Sequence, residues 1–184
     1  MFSKRRGERY NKQKMITLRC TQKLLQYLGE RPIDAPPPPT SSLGNWYGNL
    51  IPTVLGDLIL LTNERSLLTV AVPTDILDDL QPQFKIRTAN ILAGIGIPPE
   101  VIRQEISEMD PLLYAKTASR SILGSMNDLA YHFQDYAYRA VEENDFSLSR
   151  VELALNQMPH GPLDYRFAAD AARELLSSRQ SNLN

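Results

Sequence analysis

The sequence predicts an α+β fold, with a small antiparallel sheet from the N-terminal half covered by helices mainly from the C-terminal half. Three observations carry that reading. Strand-like apolar patterns cluster in residues 16–72, and from Thr74 onward the apolar residues recur mostly at helical spacing. Polar turn signals, Gly56-Asp57 and Asn63-Glu64-Arg65, separate the strand-like runs. Grouped strands followed by grouped helices favour α+β over an alternating α/β plan.

The elements follow in order. "MITLRC" (15–20) alternates, with Ile16 and Leu18 on one side and Thr17 and Arg19 on the other. "TQKLLQYLGE" (21–30) reads as a helix capped by Thr21 and closed by Gly29. "DAPPPPTSS" (34–42) is a proline-rich internal linker, stiff and extended because four consecutive prolines lack backbone donors. Val54–Leu55, Gly56–Asp57 and Leu58–Leu61 read as a hairpin turning at Gly56–Asp57, and Leu67–Val72 as a third strand ended by Pro73. Leu58–Leu61 is apolar on both faces, which predicts a central strand covered on both sides.

Thr74 reads as the cap of the next helix, with Pro82 breaking or restarting it and Gly94 and Gly96 loosening its end. Proline then opens a helix over 98–110. Residues 112–117 suit one more strand, and helices follow over 120–142, about 147–157 and about 164–178, with "MPHGPLDY" as a break.

Length and charge narrow the classes. A chain of 184 residues suits one domain, here residues 15–180, and buries roughly 70% of its unfolded surface without a staple. Cys20 is the single cysteine, so no internal disulfide forms, and a bacterial cytoplasmic setting is expected. No apolar run reaches the roughly 20 residues of a membrane span, so no membrane association is expected. The net charge of −1 conceals a split: residues 1–14 carry +5 and the remainder −6. The basic arm reads as a disordered extension, with Met15 as an alternative start, or as a means of holding nucleic acid.

The helix over 120–142 carries the chemistry worth weighing. Ile122, Met126, Leu129, Phe133, Tyr136 and Ala140 form a core stripe. One position back, Ser121, Ser125, Asp128 and His132 share an edge, with Gly124 beside them. Asp128 can orient His132 as a general base, with Arg120, Ser125 or Lys116 contacting a phosphate. The catalytic candidates are therefore Arg120, Ser125, Asp128 and His132, suited to metal-independent chemistry on nucleotides or RNA. The same residues also read as the wet edge of a packing helix, with a surface ion pair and serines bonded back to helix carbonyls.

Trp46, Tyr47 and Asn127 are the binding candidates, the aromatic pair reading equally as a core anchor. Glu64 and Arg65 suit a local ion pair, and His160 sits in a Pro/Gly turn. No phosphate loop, dinucleotide fingerprint, paired CxxC or HExxH is present, and no cofactor or metal is expected.

The segments "MITLRCTQKLL", "PPPPT" with "LGNWYGNL", "NERSLLTVAVP" and "SRSILGSMNDLAY" resemble a bacterial family of short proteins known only as a domain of unknown function. The resemblance spans nearly all of residues 15–178. It implies no catalytic role for any position and lowers the standing of a known enzyme class. The leading expectation is a protein-interaction or regulatory module with a protein partner, of the kind found in plasmid or defence operons. An enzyme acting through the helix edge is the alternative.

Overall fold

The computed structural model describes residues 14–75 and 77–180. Of the basic arm, residues 1–13 lie outside the described residues, while Lys14 donates to Ser107 Oγ at 3.1 Å.

The chain opens with strand β1 (Ile16–Cys20) and a short helix, α1 (Gln22–Leu28). Thr21 caps α1 by accepting from Leu24 N, and Gly29 closes it in the left-handed region at φ 69°. Strands β2 (Trp46–Thr53), β3 (Gly56–Asn63) and β4 (Thr69–Pro73) form a meander. Helices α2 (Leu80–Gly94) and α3 (Pro99–Ser107) precede β5 (Leu112–Lys116). Helices α4 (Arg120–Glu142) and α5 (Leu148–Asn156) follow. A small hairpin of β6 (Pro159–His160) and β7 (Arg166–Phe167), joined by a 3-10 turn, leads into α6 (Ala168–Gln180).

The α+β class stands, but the sheet is mixed rather than antiparallel. Its order is β4-β3-β2-β1-β5, and β1 pairs in parallel with both β2 and β5. The reason lies in the connections. Residues 21–45 and 74–111 are long crossovers that contain helices, and such crossovers return the chain in its original direction.

Smaller differences are equally local. The hairpin turns at Val54–Leu55, not Gly56–Asp57, because Thr53 pairs with Gly56 across the turn. Thr53 Oγ1 accepts from Leu55 N and donates to Gly56 O, while Gly56 re-enters the strand at φ 106°. Thr74 caps no helix; its hydroxyl donates to Asp57 O, and Asp79 caps α2 instead. Pro82 falls in the first turn of α2, where its missing N–H costs nothing. Arg65 reaches the Ser42 carbonyl at 2.8 Å instead of pairing with Glu64.

Two cores sandwich the sheet. Ile16, Leu18, Ile59 and Leu61 pack with α1, α2, α3 and α6 through Leu24, Phe84, Ile106 and Ala172. Ile51, Leu58, Leu60 and Ala71 pack under α4 and α5 through Leu129, Phe133, Val151 and Leu155. Alternation along Leu58–Leu61 therefore feeds both cores, as the doubly apolar run requires.

Helix α5 also seals the β4 edge. Asn156 accepts from Thr69 N at 2.7 Å and donates to Thr69 O at 2.6 Å, and Glu152 Oε1 accepts from Ala71 N at 2.7 Å. Arg87 of α2 holds Glu152 in a buried ion pair. This seal fixes α5, and with it the turn that carries His160.

Candidate functional site

Ser119 caps α4 by accepting from Ile122 N at 3.3 Å. The helix then buries Met126, Leu129, Ala130, Phe133 and Ala137, and Ser125 with them, although the sequence places it on a wet edge. That stripe leaves two edges open, one on each side.

The first edge holds Ser125, Asp128 and His132. They form one wall of a cleft of about 150 Å³, and Met158–Pro162 forms the other. The β6–β7 hairpin places His160 there, with Tyr165 N donating to the His160 carbonyl at 3.0 Å. The two histidines of the chain thus face one cleft. Burial, and after it the His132 imidazole, lower the His160 pKa from its ordinary 6.5. His160 Nε2 is buried without a hydrogen-bond partner among the described residues.

Ser125 donates to the Ser121 carbonyl at 3.3 Å, the back-bonded arrangement. Among the described residues no hydrogen bond joins Asp128 to His132. Arg120 and Asn127 are exposed and outside the cleft lining, and Lys116 lies at the end of β5. Trp46 is fully buried, edge-on to Phe84 with ring centroids 5.0 Å apart, and Tyr47 is buried beside it in β2.

The second edge was not singled out from the sequence. Tyr131, Gln134, Asp135 and Tyr138 recur at i, i+3, i+4 and i+7, and line a groove of about 420 Å³ against Pro52, Thr53 and Val54 at the hairpin tip. Gln134 Nε2 donates to the Pro52 carbonyl at 2.7 Å and fixes the groove floor. Around it Tyr131 is 69% exposed, Val54 55%, Tyr138 52% and Leu55 45%. The i, i+7 tyrosine pair was the available signal, but spacing alone does not tell an open edge from a covered one.

Among the described residues no cluster of three or more His, Cys, Asp or Glu is placed to hold a metal ion. Burial, and then the Glu30 charge, push the Cys20 thiol up to about 12, so it stays protonated and unreactive. No helix among the described residues is long and apolar enough to cross a membrane.

Fold and surface together define an α+β protein built on one five-stranded mixed sheet and a small two-stranded one, with two open edges on its longest helix. Residues 17–171 match a family described as a domain of unknown function (DUF6933), and the chain belongs to that family. No curated protein and no solved structure matches it.

Proposed function

We propose that this protein is an interaction module that takes a polypeptide partner in the groove between α4 and the β2–β3 hairpin. One observation carries the reading: Val54, Tyr131 and Tyr138, from two separate elements, line a single groove and stand exposed, with Leu55 exposed next to Val54 in the turn. Contiguous exposed apolar patches of this kind mark interaction sites, and tyrosine contributes large, rigid contact area there. The partner segment presents apolar side chains with basic flanks. The basic flanks follow from the acidic excess of residues 15–184, since Asp135 in the groove wall is already paired with Arg139 one turn on.

The test is a binding assay on the full chain with a partner isolated from the host. Tyr131→Ser with Tyr138→Ser weakens binding by about 100-fold or more, equivalent to about 2.7 kcal/mol. His132→Ala leaves it unchanged. Retained affinity in the double variant, with native circular dichroism, removes the groove from consideration.

The convergence of both histidines favours a second reading, a metal-independent acid–base enzyme. Neutral His160 would take a proton through Nε2 and His132 would return one across the cleft. Asp128 and the acidic body oppose a polyanion, so a single nucleotide suits the site better than RNA. Turnover of a nucleotide substrate must disappear in both His132→Gln and His160→Gln; survival in either ends this reading.

A further inference from the structure

A third feature is lined by residues of neither α4 edge. Strands β1 and β5 run in parallel with Cys20 opposite Lys116, so their carboxyl ends finish side by side. The helices that follow them diverge. Helix α1 packs into the core on one face of the sheet, and α4 into the core on the other. Adjacent parallel strands whose connections leave to opposite faces open a crevice beyond their carboxyl ends, the place where open sheets hold small ligands.

A cavity of about 650 Å³ occupies that crevice. This lies within the roughly 300–1,000 Å³ of small-molecule sites. Leu25 and Cys20 supply apolar surface, Gln26 and Thr117 supply neutral hydrogen-bonding groups, and Lys116 and Glu30 supply opposite charges. Among the described residues neither Lys116 nor Glu30 joins an ion pair. Glu30 raises both the Cys20 thiol and the Tyr114 phenol further, after burial, in keeping with its place in the same cavity wall as Cys20.

The geometry points to a binding site for a small zwitterion, a free α-amino acid, with its carboxylate on Lys116 and Thr117 and its ammonium on Glu30. The ligand side chain then lies over Leu25 and Cys20, with Gln26 at the rim. This site is independent of the partner groove, since none of its lining residues belongs to α4 or the hairpin.

The experiment titrates the full chain with each proteinogenic L-amino acid and follows backbone amide NMR shifts. At least one saturates, moving the amides of Cys20, Glu30, Lys116 and Thr117 while those of Tyr131 and His132 stay in place. Glu30→Gln and Lys116→Ala each weaken it about tenfold or more, as do N-acetylation or methyl esterification of the ligand. Gln26→Trp, at an exposed helix position, blocks the cavity without touching the core. The inference is overturned if no amino acid saturates, if the charge variants bind unchanged, or if the capped ligands bind as tightly as the free one.

Discussion

A single buried amide, that of Asn63, closes the connection between β3 and β4. Its Nδ2 donates to the carbonyls of Leu43 and Asn45, and its Oδ1 accepts from Arg65 N, Ser66 N and Ser66 Oγ. Asn63→Ala leaves those groups without partners in a water-free site and lowers stability by about 2–4 kcal/mol in urea unfolding. His160 offers a second residue-scale test. Its lowered pKa means that the fold favours the neutral ring. The corresponding stability is present above 6.5 and lost as pH falls through the lowered value. His132→Gln removes the second cause and leaves burial, so His160, titrated by NMR, rises but stays below 6.5. An unchanged titration would show that the two rings do not sense each other. The sequence made His132 a candidate and left His160 without a partner, because the 27 positions between them conceal the turn that joins them.

At the scale of elements, α4 was legible over its full length. Both of its ends and the Met126, Leu129 and Phe133 centre of its apolar stripe follow from the sequence, whereas the Ser119 cap emerged only with the structure. What covers each edge was not legible, since that depends on where the hairpin tip and the β6–β7 turn arrive. The groove edge makes no core contact through Tyr131 and Tyr138, so the double serine variant keeps its stability within about 0.5 kcal/mol while losing its partner. Helix α5 behaves differently, because its polar side chains are buried. Burial pushes the Glu152 carboxyl up to about 7, against the pull of Arg87 and the Ala71 N–H. The folded state therefore holds the proton more tightly than the unfolded chain. Its contribution is complete below 4.5 and is lost as pH rises through about 7. Glu152→Gln flattens that segment of the stability profile; a profile of unaltered slope would mean that Glu152 stays ionised throughout.

For the molecule as a whole, one sheet belongs to both cores, and unfolding is expected to be a single transition. Leu60→Ala empties one core and Leu61→Ala the other, yet each shifts the same urea transition by about 2–5 kcal/mol. Two separated transitions would show that the faces melt independently. Strand identity was legible because side-chain alternation is local. Pairing direction was not, because period-two patterning is the same in parallel and antiparallel strands. The proline linker, ending at Ser42 on the buried Glu105 carboxylate, was the clue that β1 returns by a crossover.

The α5 seal has one more implication. On the β4 side Glu152 and Asn156 impersonate a neighbouring strand, so nothing foreign can be recruited there without first evicting a helix packed by one face. At β5, among the described residues, a single isolated bridge from Ile33 to Ala115 lies across the border. Any polymer this protein builds by strand addition therefore starts at β5 and cannot propagate through β4.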